Sequence, residues 1–177
     1  MHQIFPIHLQ AETFRKFAWF NTMKLRKAWR NPFIFFLIFF ISSILCFLQY
    51  PSDGAIMLGI LLLIIGIGLP VLYLINFNRS ISQEIKKHKL NHNPLVYTLT
   101  FTEEELQVLA GDQRANYPWE ILYRAYQKSD AIYLYVTPAR GFILPYYASK
   151  ISPENVWNVL VKYMGTEKTI ENKKQHM

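Results

Sequence analysis

The chain has 177 residues, enough for one modest domain and an appendage, and 51% of them are hydrophobic. Its formal net charge of +7 comes from residues 1–32 (+5) and 78–90 (+3) less Asp53, because residues 91–177 carry nine basic and nine acidic groups. A nucleic-acid binder is expected to hold its positive patch on a folded domain, so no nucleic-acid partner is expected here.

The alternation in "IFPIHL" (Ile4–Leu9) reads as a strand that pairs with a later sheet. Ala11 to Arg30 reads as one helix, in which Phe14, Phe17, Ala18, Met23 and Leu25 mix with Arg15, Lys16, Lys24, Arg26, Lys27 and Arg30. Two readings of this segment stand together. It lies on anionic headgroups, each nearby Lys or Arg contributing about 1 kcal/mol, or it is a positive flank whose helix docks on a cytoplasmic domain.

Phe33–Tyr50 holds eighteen residues without a charge, and Ala55–Phe77 holds twenty-three. As helices they reach roughly 27 and 35 Å, against a hydrocarbon core of about 30 Å. Trp29 and Tyr50 fit the two interfaces of the first span. A buried core hairpin is the plainer alternative, but so small a protein has little with which to cover two such runs. Thirty-two residues precede the first run and no small-x-small site follows it, so it is expected to be a span and not a signal peptide. The connector "PSDG" has no Lys or Arg, whereas the outer flanks are basic. The positive-inside rule then predicts a multi-pass protein of the inner membrane with both termini in the cytoplasm.

Lipid gives helices no hydrophobic reason to pair, so close packing must do it. Ala55, Gly59 and Gly66 fall near one face of the second span. A hairpin centred on Ser52-Asp53 sets Gly59 level with Cys46 and Gly66 level with Phe39, which predicts Phe39 over Gly66. Ser42 and Ser43 are expected to bond back to their own helix, and Pro70 to kink its helix. The glycines serve this packing, or a homodimer face or gate. Cys46, alone in the chain, excludes an internal disulfide.

Residues 78–94 read as a helix to about Leu90 and a linker, with Arg79, Lys86, Lys87 and Lys89 as a second group of membrane-surface cations. His88 and His92 have the spacing of paired ligands, but no third ligand lies near them and Lys89 stands where a zinc-protease motif needs Glu. No metal is expected.

From Leu95 the period becomes two. Strands are predicted at Leu95–Phe101, Leu106–Ala110, Arg114–Trp119, Glu120–Lys128, Ala131–Thr137 and Phe142–Pro145, with an acidic turn at Glu103–Glu105. Ser152-Pro153 starts a helix that Gly165 ends, with Val156, Trp157, Leu160, Val161 and Met164 as its buried stripe. Trp119, Ile132, Leu134, Val136, Trp157 and Leu160 are the expected domain core, while alternation turns Tyr133 and Tyr135 to the other face. The fold class is thus a transmembrane helical hairpin (33–77) with an α+β domain (95–165), a curved antiparallel sheet capped by a helix. A pleckstrin-homology-like roll fits best, and residues 166–177 form a polar tail.

The acidic turn, the Trp-x-x-aliphatic entry at Trp119–Leu122, the "IYLYV" strand, the strand ending at Pro145 and the helix started by Pro153 resemble the YcxB-like family. That resemblance covers Leu95 to Met164 and implies a bacterial two-span membrane anchor with a PH-like C-terminal domain. A basic residue often follows the family's strand-ending proline; Tyr146 and Tyr147 stand here, so no ligand site is carried over. The family implies no catalytic residue.

The residues show no phosphate-cradling glycine loop and no Gly-x-Ser-x-Gly elbow. Glu103, Glu104 and Glu105 are neighbours that a turn splays apart. Neither enzyme nor cofactor is expected. Tyr133, Tyr135, Tyr146 and Tyr147 form a partner surface, or lie against the membrane or the first helix. The expected function is a non-enzymatic interaction or regulatory module that binds a protein partner or its own copy. Two alternatives stay open: an anionic lipid-headgroup sensor, and an immunity-type or transport accessory protein acting through its hairpin.

Overall fold

Strand β1 (Gln3–Leu9) pairs antiparallel with β2 (Leu95–Phe101) along its whole length, Gln3 opposite Phe101 and Leu9 opposite Leu95. Everything between them is therefore an insertion between adjacent strands. The computed structural model describes residues 3–48, 53–90, 95–148 and 152–171. The Tyr50 anchor, the Ser52 half of the hairpin centre and His92 lie outside the described residues. Two compact units emerge: residues up to Phe17 together with those from Ile85 onward, and Ala18–Glu84.

In the first unit, β3 (Glu105–Ala110) and β4 (Gln113–Pro118) extend β1 and β2 into a sheet of order β1-β2-β3-β4. Strands β5 (Arg124–Gln127), β6 (Ala131–Thr137) and β7 (Arg140–Pro145) form a second antiparallel sheet. The predicted strand Glu120–Lys128 is shorter because Trp119–Ile121 make a 3-10 turn. In the tail, Thr169–Ile170 form β8, which pairs parallel with β5. The Tyr97 hydroxyl donates to the Ile143 carbonyl and accepts from the Ile143 N–H, fastening β2 to β7 and so one sheet to the other.

Helix α4 (Pro153–Met164) starts as its sequence requires, with Ser152 Oγ accepting from Asn155 N–H at 3.3 Å and Pro153 in the first turn. It buries Val156, Trp157, Leu160 and Met164. Trp119 stacks on Tyr163 of α4, crosses Phe101 edge-on, and donates its indole N–H to Thr102 O at 3.0 Å. Thr102 Oγ1 accepts from Glu105 N–H and donates to Glu105 O, which closes the acidic turn. Burying a large apolar side chain contributes about 1.5–3 kcal/mol, so this cluster is a main prop of the unit.

Helix α1 (Ala11–Trp19) does not run on to Arg30. A π-helical turn takes over at Phe20–Leu25, and Lys27 is left-handed at φ 50°. The reason lies in Pro32: a continuous helix would drive its ring against the Ala28 carbonyl four residues back. The chain breaks and restarts as α2 (Arg30–Leu48), where Pro32 sits in the first turn. Helix α3 (Asp53–Lys87) continues unbroken through Pro70 for 35 residues, roughly 52 Å at the usual rise. That exceeds a hydrocarbon core, so its last turns, from Asn78, are the polar extension. Helices α2 and α3 are each long and apolar enough to cross a membrane, and only 6% and 11% of their apolar windows are buried. They are not covered as the core of a soluble protein would be.

Candidate functional site

The hairpin unit places its packing residues as follows. Gly66 lies beneath Phe39: a methyl group at Gly66 would fall 2.9 Å from Phe39 Cβ. Gly59 faces Phe47, whose ring carbon would lie 2.8 Å from such a methyl, and not Cys46. Ser43 does not bond back to its own helix; it is fully buried and donates to Gly59 O at 2.7 Å. The glycine that lets the helices approach also brings its carbonyl within reach of the hydroxyl. Ser42, Cys46, Ala55 and Pro70 are half-buried.

The cations divide. Lys16 bonds Asp130 Oδ2 at 3.0 Å and Glu12 at 3.1 Å, and the hydrogen bond to Asp130 leads the causes that raise its pKa. It is thus engaged by the β5–β6 turn while its side chain stays half exposed. Arg15, Lys24, Arg26, Lys27, Arg30, Arg79, Lys86, Lys87 and Lys89 are exposed. Among the described residues no group of three or more His, Cys, Asp or Glu is arranged to hold a metal ion.

Two of the four tyrosines expected at a surface are buried instead. Tyr133 and Tyr135 are 2% and 0% exposed. Phe17 of α1 meets Tyr133 edge-on at 5.1 Å and stacks on Tyr135 at 5.7 Å, so the outer face of β6 is covered as well as the inner one. The pattern of β6 reads as half-buried alternation only while α1 is out of view. Burial, followed by the charge of Asp130, pushes the Tyr133 hydroxyl pKa up. Tyr146 is half-buried, with its hydroxyl donating to Lys128 O, and burial raises its pKa as well. Tyr147 keeps an exposed ring while its hydroxyl donates to His8 O and accepts from Gln10 N–H. Within the predicted core, Trp119, Ile132, Leu134, Trp157 and Leu160 are buried, and Val136 is half-buried.

A different exposed set lies at the β5–β8 edge. Ile121, Tyr123 and Ile170 are exposed. The Arg124 guanidinium lies 5.3 Å over the Tyr123 ring and hydrogen-bonds Tyr126, which pairs with Ile170 across the strands. Ala125 N–H to Lys168 O and Lys168 Nζ to Glu120 O tie the two segments together. Aromatic, arginine and aliphatic side chains in one patch are what protein contact surfaces favour. In sequence, residues 166–177 read as a polar tail, and the isolated "TI" before Glu171 is the one signal of β8.

Residues 101–155 match the family model of YcxB-like protein. The matched segment contains the acidic turn, the Trp119 turn, β5 to β7 and Pro153. No curated protein and no solved structure matches the chain.

Proposed function

We propose that this chain is a membrane-anchored, non-enzymatic interaction module whose PH-like domain lies in the cytoplasm and binds a protein partner or a second copy of itself. The insertion of both apolar helices between the paired strands β1 and β2 carries the reading. Both outer ends of the hairpin lead into paired strands of one sheet, which favours a single side of the bilayer for both ends. Those ends are basic and the connector is not, which favours the cytoplasm. Two sheets of mainly antiparallel strands closed by a C-terminal helix support the PH-like fold, and the two long apolar helices support a membrane anchor.

The partner contact is assigned to the patch of Ile121, Tyr123, Arg124 and Ile170. The full chain, affinity-captured in mild detergent, is expected to bring down one stoichiometric protein or a second copy of itself, and Tyr123→Ala with Arg124→Ala to abolish that recovery. A monomer that captures nothing would end this reading. Capture untouched by both substitutions would move the contact elsewhere.

A further inference from the structure

The hairpin unit carries two concavities that share one side chain. An apolar groove of about 390 Å³ is lined by Trp29, Phe33, Phe36, Ile67, Pro70 and Val71, among others. A recess of about 360 Å³ is lined by Met23, Lys24, Lys27, Trp29 and Arg30. Trp29, half exposed, belongs to both. We propose that together they form a binding site for one anionic glycerophospholipid, its phosphate held by Lys24, Lys27 and Arg30 and an acyl chain laid in the groove.

Charge decides the headgroup. Residues 18–84 contain only two acidic groups, Asp53 at the connector end of the hairpin and Glu84 near the end of α3. Among the described residues, no carboxylate pairs with Lys24, Lys27 or Arg30, and all three are exposed. Three cations converging on one recess without an internal counter-ion call for an anion from outside. Basic pockets beside transmembrane helices take anionic headgroups for this reason.

The backbone is shaped for the recess as well. The π-helical turn at Phe20–Leu25 and the left-handed Lys27 at φ 50° bring residues 23, 24, 27 and 30 around one concavity. π-helical turns and left-handed non-glycine residues concentrate at functional sites, because they persist only where the surroundings hold them. Arg26 N–H to Asn21 O and Ala28 N–H to Thr22 O, at 3.0 and 3.1 Å, do that here.

The groove decides the rest of the ligand. Its lining is aromatic and aliphatic, with Pro32 and Pro70 on its two helices. A free phosphate would leave it empty, whereas a phospholipid supplies a phosphate at the interface and a chain directly below. Trp29 at their junction fits the usual interfacial place of tryptophan. The inference shares with the proposed function only a hairpin that lies in a bilayer.

The test uses the full chain in mild detergent, exchanged with equal amounts of phosphatidylglycerol and phosphatidylcholine and read by native mass spectrometry. The wild type is expected to retain phosphatidylglycerol preferentially. A Lys24→Gln, Lys27→Gln, Arg30→Gln variant with unchanged helical circular dichroism should lose that preference by about tenfold or more. Val71→Trp, which fills the groove, should lower phosphatidylglycerol retention with the recess intact. Arg79→Gln, Lys86→Gln, Lys87→Gln should leave it unchanged. On the wild type, short-chain phosphatidylglycerol should compete and glycerol phosphate should not. Equal retention of the two lipids, a preference that survives the first variant, an equal loss in the second triple variant, or equal competition by glycerol phosphate would overturn the site. Failure to float with vesicles would sink the membrane anchor itself, a distinguishable result.

Discussion

In the sheet unit the large apolar side chains lie inside: Phe5, Ile7, Leu99, Phe101, Leu106 and Leu160 are at most 1% exposed. In the hairpin unit the same residue types lie outside, with Ile38, Ile41, Leu45, Leu61 and Ile64 more than half exposed. One unit brings its own apolar interior, and the other leaves its apolar side chains uncovered, as the proposed bilayer would allow. Single contacts should therefore count differently in the two. Deleting a large side chain from the sheet unit removes transfer energy and leaves a cavity. In the proposed bilayer the hairpin helices would have no hydrophobic drive to associate, so shape at the glycines should matter more than apolar area.

The largest effect is expected at Trp157. Trp157→Ala removes a side chain that is 7% exposed and should destabilise the sheet unit by about 3–5 kcal/mol. Hydrogen–deuterium exchange by mass spectrometry should show β5 and β6 losing protection while α2 and α3, in detergent, keep theirs. Equal loss in both units would break the comparison, since it would make them one cooperative body.

Tyr97 comes next and sharpens the same point. Its hydroxyl serves both the N–H and the carbonyl of Ile143, so Tyr97→Phe leaves two buried backbone groups unpaired at a cost of about 1–3 kcal/mol. Burial, the leading cause, pushes the Tyr97 pKa above its ordinary value, and a hydrogen bond to Ile143 works against that shift. The folded state therefore binds this proton more tightly than the unfolded chain does. The stabilisation is fully present below the unfolded tyrosine pKa of about 10 and is lost as pH rises beyond it. Denaturation midpoints across that range should fall for the wild type and fall less steeply for Tyr97→Phe. Parallel curves would mean that Tyr97 does not titrate with unfolding.

Much of this architecture was readable in the residues. Ser152, Pro153 and Gly165 bound α4 because caps act locally, and Phe39 lies over Gly66 because a four-residue connector leaves the register little freedom. What escaped depended on distant chain. Tyr133 and Tyr135 are buried by Phe17, over a hundred positions away, and alternation within β6 says nothing about what covers its second face. Tyr97 gave no warning either, since a tyrosine in a strand looks the same whether its hydroxyl meets water or Ile143. The break in the first helix was signalled by Pro32, but the recess it makes of Lys24, Lys27 and Arg30 became visible only with the left-handed Lys27 in place.

At the glycines the comparison turns on which neighbour can yield. A methyl at Gly66 meets Phe39 Cβ, fixed to the backbone, whereas one at Gly59 meets the Phe47 ring, which can rotate away. Gly66→Ala should cost about 1–3 kcal/mol, the usual range for overpacking, and Gly59→Ala distinctly less. Unfolding of the hairpin in mixed detergent–SDS micelles, followed by circular dichroism, measures both. Equal losses would show that the helices separate freely and that shape at Gly66 does not hold them.

The smallest effect is expected at Ser43, and it is the closest test of what an apolar solvent does. Its hydroxyl is buried and its 2.7 Å bond to Gly59 O has ordinary length for a hydroxyl donor, features that in a sheet interior would mark a costly deletion. Yet the Gly59 carbonyl remains an acceptor within its own helix. The separated helix in lipid also finds other partners for a serine, so such bonds average only about 0.6 kcal/mol. Ser43→Ala, measured in the same micelles, should therefore shift the hairpin far less than Tyr97→Phe shifts the sheet unit. A loss as large as that of Tyr97→Phe would mean that the unpaired Ser43 hydroxyl has no alternative in lipid, and that polar deletions cost the two units the same.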